Sequence, residues 1–166
     1  MKSIIAFASG KGSNIQAIIN HFKGNNAFNI SLIVVNKKDA GAIQIARAHN
    51  IPFIIIDRDI FQSVDFLEKI KSLNPTLLVL AGFLWKIPEN IVHHFPNKII
   101  NIHPALLPKY GGKGMYGINV HQAVINAKET ESGITIHYVN EHYDEGSQIC
   151  QVNCFVHQHD TAESLA

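Results

Sequence analysis

Three residue types in two short segments could carry chemistry. They are an amide and an imidazole in Asn101-Ile102-His103-Pro104, and a carboxylate, Asp144, in the polar stretch Asn140-Glu141-His142-Tyr143-Asp144-Glu145-Gly146. If the first segment ends a strand, period-two alternation puts Asn101 and His103 on one side, presenting an N–H donor beside a base that titrates near neutral pH. That pair suits acyl transfer to an amine. The attacked carbonyl oxygen gains negative charge, which an amide N–H and a protonated imidazole stabilise. The attacking nitrogen must also lose a proton, which His103, or a water held between His103 and Asp144, can accept and pass to the departing nitrogen. A carboxylate folded back over His103 would favour the imidazolium. Each residue also has a plainer reading: His103 is one of ten histidines and could be a hydrogen-bonded structural residue, and Asp144 suits a solvated hairpin turn. His121, His137 and His142 are weaker candidates that read more readily as packing or loop residues, although His137 precedes the aspartate loop on a strand.

A second candidate is Ser9-Gly10-Lys11-Gly12-Ser13-Asn14, which follows an apolar run and opens a helical pattern. Unpaired backbone N–H groups and the positive end of a helix dipole attract anions there. Ile15 stands where a dinucleotide fingerprint needs its third glycine, and the spacing does not match a Walker loop. A tight structural turn explains the glycines equally well by type. As a binding loop, with Ser13 and Asn14 as side-chain donors, it suits the monophosphate of a small molecule.

The elements that must position these residues follow a rhythm. Continuous apolar runs at residues 4–8, 32–35, 53–56, 77–80 and 99–102 read as strands covered on both faces. Residues 13–22, 40–49, 61–73 and 88–95 carry helical spacing, with Asp39 and Asp59 as expected caps and Pro88 near a helix start. This alternation predicts an α/β, Rossmann-like, mostly parallel twisted sheet with helices on both faces. Asn101 and His103 then sit at the carboxyl end of a strand, where such sheets place ligands. After Asn101 the pattern changes to a glycine-rich loop (Gly111, Gly112, Gly114, Gly117), a short helix over 121–127 and strands over 134–139 and 147–156, which predict a mixed C-terminal edge.

Of the 166 residues, 46% are hydrophobic, enough for one core, and residues 1–166 are expected to form a single domain. A formal charge of +1 lacks the basic excess of a surface that binds many phosphates, which disfavours a nucleic-acid polymer as partner. Cys150 and Cys154 fall on one side of a strand-like segment and read as buried, reduced thiols. No second cysteine pair completes a zinc site. No apolar stretch is long enough to span a bilayer and the N-terminal run is too brief for a signal peptide, so a soluble cytoplasmic protein is expected. Residues 160–166 look like a helix start cut off after about one turn, so the domain is expected to lack a C-terminal helical segment.

Four segments together, Gly10 to Ile18, Leu80-Ala81-Gly82-Phe83-Leu84, Asn101 to Tyr110 and the Asp144 loop, resemble the phosphoribosylglycinamide formyltransferase family. The Asn-His-Pro segment with its Leu-Leu-Pro continuation is shared by folate-dependent formyl enzymes, so it implies the reaction type. The first loop implies the substrate. The resemblance implies transfer of the formyl group of 10-formyltetrahydrofolate to the amine of 5'-phosphoribosylglycinamide, in purine synthesis. Asn101, His103 and Asp144 match the catalytic trio, and Gly12, Ser13 and Asn14 match the residues that hold the substrate phosphate. Leu84, Trp85, Lys86, Ile87, Asn101, Glu141, His142 and Tyr143 match the folate site. It further implies small-molecule substrates only, no metal, no membrane and a monomer or weak homodimer.

The chain departs from the family pattern in three places, the last being that the family normally continues beyond Ala166 with a helix and further contacts to the substrate ribose. Trp85-Lys86 replaces a more usual arginine-and-aliphatic pair, so folate contacts there are expected through backbone groups. The loop from Gly111 to Gly117 is longer than the usual turn. Two rivals share parts of the pattern: a formyltetrahydrofolate hydrolase, which usually carries an extra regulatory domain, and a non-catalytic Rossmann-like module that binds a phosphorylated metabolite with His103 structural. A methionyl-tRNA formyltransferase would carry a further nucleic-acid-binding domain.

Overall fold

The computed structural model describes residues 2–25 and 27–166. The elements run β1 (Lys2–Ala8), α1 (Ser13–His21), β2 (Phe28–Val35), α2 (Ala42–Ala48), β3 (Phe53–Ile55), α3 (Arg58–Gln62), α4 (Val64–Ser72), β4 (Leu77–Leu80), α5 (Glu89–His94), β5 (Ile99–His103), α6 (Ile118–Asn126), β6 (Glu131–Tyr138), β7 (Gln148–Phe155) and α7 (Ala162–Leu165). The strands hydrogen-bond in the order β3-β2-β1-β4-β5-β6-β7, mostly parallel with an antiparallel edge, which is the predicted Rossmann-like class. The chain forms two compact units, the first running to Ile99 and the second from Ile100 to Ala166.

In the first unit, parallel pairing of β1 with β2 and β4, and of β2 with β3, buries strands whose sequences are apolar without alternation. Ile5, Phe7, Ile33, Val34 and Leu78 are fully buried. Phe7 anchors an aromatic cluster, edge-on to Phe83 at 5.4 Å and tilted against Phe61 at 6.4 Å, while Phe61 meets Phe83 at 5.5 Å and Phe66 at 5.7 Å. Truncating a ring such as Phe7 to alanine costs about 3–5 kcal/mol.

Three helix expectations need correction. The stretch read as one helix over 61–73 is two, because Ser63 leaves helical geometry at ψ 151°. Its Oγ donates to the Ile60 carbonyl at 2.7 Å and accepts the Phe66 N–H at 3.1 Å, so one serine closes α3 and caps α4. The cap of α3 is Asp57, whose Oδ1 accepts the Ile60 N–H at 2.8 Å, while Asp59 lies inside the first turn. Likewise Asp39 does not cap α2. Gly41 stands at that N-terminus.

In the second unit β5, β6 and β7 pair antiparallel, with Asn101 opposite His137 and His103 opposite Thr135. Thr135 is fully buried and ties the chain after β5 in place: its hydroxyl donates to the Ala105 carbonyl at 2.6 Å and accepts the Leu107 N–H at 3.0 Å. The side-chain amides of Gln148 and Gln151 donate to the Leu107 carbonyl at 3.1 and 2.9 Å. Cys150 and Cys154 are free but exposed, which overturns the expectation of buried thiols. Alternation places them on one face, yet every residue of β7 is exposed, so sharing a face does not bury them. Thr161 caps α7 through a reciprocal bond pair with Ser164.

Candidate active site

The second unit gathers a polar cluster around Asp144, at positive φ in the turn between β6 and β7. Its Oδ2 lies 3.5 Å from His103 Nδ1 and accepts the Gly112 N–H at 3.0 Å. Its Oδ1 accepts from Asn101 Nδ2 at 3.4 Å and lies 3.5 Å from His137 Nε2. Asn101, His103 and Asp144, the three residues singled out by type, therefore converge. Strand alternation turns Asn101 and His103 the same way, and the hairpin from β6 to β7 returns the carboxylate to them.

Each imidazole is fixed by a second partner. His103, 3% exposed, donates Nε2–H to the Tyr110 carbonyl at 2.8 Å, which leaves Nδ1 facing the carboxylate. His137, 2% exposed, donates Nδ1–H to the Tyr138 carbonyl at 2.8 Å. As the neutral tautomer its Nε2 accepts from Asn101 Nδ2 at 3.2 Å, and once protonated it faces Asp144 instead. Burial alone would push the Asp144 carboxyl up. The bond to His137, the Gly112 N–H and the charges of His103 and His137 outweigh it and hold the carboxyl below its ordinary value.

Three contributors were not identified as such from the sequence. His137 is only a weaker candidate by type, yet the β5–β6 register sets it against Asn101, a relation visible only once the strands pair. The glycine-rich loop had no assigned contact, and Gly112 supplies the N–H that grips Asp144. Its neighbour Gly111 permits the approach, because a Cβ there would lie 2.6 Å from Leu107 Cδ2 and 3.3 Å from Asp144 Cβ. Tyr110 contributes its carbonyl, while its hydroxyl donates to Glu129 Oε1 at 2.8 Å, the oxygen that Lys109 Nζ also reaches at 2.8 Å. His121 Nδ1 is buried without a hydrogen-bond partner among the described residues, and burial followed by the charge of His103 lowers its pKa. In the 140–144 turn, the His142 N–H donates to Asn140 Oδ1 at 2.9 Å, and His142 and Tyr143 are exposed.

The first unit holds the other two candidate segments. Gly12 begins α1 at φ +81°, where no side chain caps the helix, so first-turn N–H groups of Ser13 and Asn14 face outward from its N-terminus. A Cβ at Gly12 would lie 2.9 Å from Ala42 Cα and 2.8 Å from Ile45 Cδ1, so α2 packs directly against the turn. This end of a helix can hold an anion. Ser9 Oγ accepts the Leu84 N–H at 2.9 Å and ties this loop to the segment Leu84 to Ile87. There Ile87 is buried, Lys86 is exposed, and Trp85 packs on Phe83 and Phe61 with the Arg58 guanidinium 4.1 Å above its ring. Among the described residues no group of three or more His, Cys, Asp or Glu is arranged to hold a metal ion, and no helix is long and apolar enough to cross a membrane.

The chain was compared with known proteins for family and fold. The formyl transferase family model matches residues 2–166. A chloroplastic phosphoribosylglycinamide formyltransferase of Arabidopsis thaliana is 40% identical over 99% of this chain, which spans 59% of that protein's length. A phosphoribosylglycinamide formyltransferase of Haemophilus influenzae is 34% identical over 99% of the chain and is itself covered over 78%. Among solved structures, a phosphoribosylglycinamide formyltransferase of Coxiella burnetii superposes with a TM-score of 0.84 at 37% identity, covering 99% of this chain and 77% of that one. With that match along its described length, the chain belongs to the formyl transferase family, in its phosphoribosylglycinamide formyltransferase group.

Proposed function

We propose that the chain transfers the formyl group of 10-formyltetrahydrofolate to the primary amine of 5'-phosphoribosylglycinamide, giving formylglycinamide ribonucleotide and tetrahydrofolate in purine synthesis. The observation that carries this reading is the convergence of Asn101, His103 and Asp144 in a chain of this family. The new C–N bond forms at the formyl carbon, the bond from that carbon to the folate nitrogen breaks, and a proton moves from the amine to the departing nitrogen.

In this reading the Asn101 amide and the His103 imidazolium donate to the oxygen that gains charge. Their bonds at rest, to His137 and Asp144 for Asn101 and to the Tyr110 carbonyl for His103, keep the donors pointed and satisfied until that oxygen competes for them. Asp144, held anionic by Gly112 and His137, stabilises the imidazolium and orders a water that relays the proton. Gly12, Ser13 and Asn14 hold the substrate phosphate at the N-terminus of α1. Leu84, Trp85, Lys86 and Ile87, with Asn101, Glu141, His142 and Tyr143, serve the folate: apolar walls for the pterin and backbone groups for its polar edge. Neither substrate calls for a metal, and a reducing compartment such as the cytoplasm suits two free thiols.

A spectrophotometric assay of tetrahydrofolate release, run with and without the glycinamide ribonucleotide, tests the proposal. Release that requires the ribonucleotide is expected. Release without it would assign a hydrolase, and no release in either case would assign a binding module.

A further inference from the structure

The segment after His103 runs past the reacting groups as a strap. Its Tyr110 carbonyl accepts from His103 Nε2 and its Gly112 N–H donates to Asp144 Oδ2. Both contacts are made by main-chain atoms, so something outside the strap has to place that main chain. Leu107 is where it is held. The Leu107 N–H donates to Thr135 Oγ1 at 3.0 Å, and the Leu107 carbonyl accepts from Gln148 Nε2 at 3.1 Å and from Gln151 Nε2 at 2.9 Å. Gln151 Nε2 also reaches Thr135 Oγ1 at 2.9 Å, while the Thr135 hydroxyl donates to the Ala105 carbonyl at 2.6 Å.

A hydroxyl has one proton to give and two lone pairs, a carbonyl two lone pairs, and an amide nitrogen two protons. Thr135 Oγ1, the Leu107 carbonyl and the Gln151 amide nitrogen are therefore each used to capacity, and Thr135, Ala105 and Leu107 are all buried. Such a network resists displacement, because a shift of the strap leaves a buried polar group unpaired.

The sheet is deformed in a way that brings both carboxamides to one carbonyl. β7 pairs regularly with β6 from Phe155 to Cys150, which stands opposite Ile136, but the next pair is His137 with Gln148. Ile149 is the extra residue of a bulge. In an unbroken strand Gln148 and Gln151 would point to opposite faces, and one extra residue between them turns Gln148 to the face of Gln151.

From Leu107 the constraint reaches the reacting groups by two routes. Along the chain, Leu107 lies three residues before Tyr110. Across the strap, its side chain packs against Gly111, the residue between the two contacts, where a Cβ would lie 2.6 Å from Leu107 Cδ2. Thr135 is also the register partner of His103, so the clamp and the imidazole share one rung of the β5–β6 ladder.

We infer that Thr135, Gln148 and Gln151 are positioning residues of this site, holding the strap at Leu107 so that its main chain keeps His103 and Asp144 in place. The inference rests on the proposed formyl transfer, and its test reads the site both without and with turnover. The first readout is the His103 Nε2 proton, followed without substrates by nitrogen-correlated proton NMR of the chain labelled at histidine. The second is kcat and KM with both substrates. In the wild type the proton is expected as a downfield signal protected from solvent exchange. Thr135→Val keeps the side-chain volume and removes the hydroxyl. It should abolish that protection and lower kcat by about 10- to 100-fold, with KM for either substrate changed by less than about twofold. Thr135→Ser, which keeps the hydroxyl, should retain the protected signal and most of the turnover. Gln148→Met combined with Gln151→Met should reproduce the effect of Thr135→Val without altering β6, and decides the matter if Thr135→Val does not fold. A role in stability alone would lower the melting temperature of these variants and leave the His103 proton and kcat as in the wild type. That result, or Thr135→Ser as impaired as Thr135→Val, would overturn the proposal. Turnover absent from the wild type would count against formyl transfer itself, and the His103 signal would still decide the clamp.

Discussion

The two units hold their candidate sites by different means. In the first, the turn at Gly12 is shaped by steric closeness: positive φ, with α2 pressed against a position that has no Cβ. In the second, Asp144 is held by polar bonds, a backbone N–H and two imidazoles around one carboxylate. A steric device depends little on solution conditions and fails when volume is added. A polar device keeps its shape through substitution by an isostere but loses its electrostatics when a charge is removed. The contrast suits a passive cradle for an anion in one unit and a proton-handling centre in the other.

The largest expected break in that contrast is Asp144→Asn, which keeps the shape and removes the charge. Turnover with both substrates should fall by about 10²- to 10⁴-fold, the range of a lost acid–base partner. The far-ultraviolet circular dichroism should be retained. A loss smaller than tenfold would remove Asp144 from the proton path.

Gly12→Ala attacks the steric side. With a Cβ 2.9 Å from Ala42 Cα and a left-handed backbone, the turn must shift at a cost of about 1–3 kcal/mol. The KM for the ribonucleotide should rise by about tenfold or more while kcat at saturation changes little. A fall confined to kcat would mean that the turn acts on the reaction rather than on the phosphate.

His137→Phe comes next. It leaves a half-buried Asn101 N–H without its acceptor at 3.2 Å, a penalty of about 1–3 kcal/mol. If Asn101 donates to the reacting oxygen, its disorder should lower kcat about tenfold, and His137→Gln should recover part of the loss. Equal activity in the phenylalanine variant would show that Asn101 is held without it.

How far could these two regions be read in advance? The first unit was legible because parallel strands buried on both faces write their burial directly as continuous apolar runs, so residues 77–80 were placed without error. Its misreadings are local capping choices: Ser63 takes backbone bonds that a smooth helical pattern hides, and Asp57 outcompetes Asp59. In the second unit residue types revealed Asn101, His103 and Asp144 as candidates, but their supports were not legible. Gly112 and Tyr110 act through main-chain atoms, which carry no side-chain signature. His137 acts through a register that only strand pairing defines. Exposure of Cys150 and Cys154 was hidden for a related reason: alternation reports which residues share a face, not whether anything covers it.

Acid titration separates the two devices more finely. The folded Asp144 carboxyl titrates below its ordinary value of 3.8, so its contribution to stability is present above the unfolded value and disappears as pH falls through the folded one. Thermal melts of the wild type should therefore lose stability on acidification below about pH 4, and Asp144→Asn should lose less over the same interval. Parallel curves would mean that the carboxylate gains nothing from its neighbours. The smallest effect is expected from Glu129→Gln. The Lys109 and Tyr110 bonds keep Glu129 below its ordinary pKa at the surface, and solvent screens such pairs. Turnover should change by less than about threefold. A larger drop would mean that this anchor, and not the loop itself, sets the Tyr110 carbonyl.

The grip on His103 and Asp144 by a carbonyl and an N–H of residues 110 and 112 makes part of this centre invisible to alanine scanning. Replacing the Tyr110 side chain leaves its carbonyl where it was, so variation at that position would be misread as proof of unimportance. At the neighbouring Gly111 an added methyl group would meet Leu107 Cδ2, the movable end of a side chain, before it pressed on Asp144 Cβ. This support is written in the course of the main chain at residues 110 and 112, where replacing the local side chain does not report it.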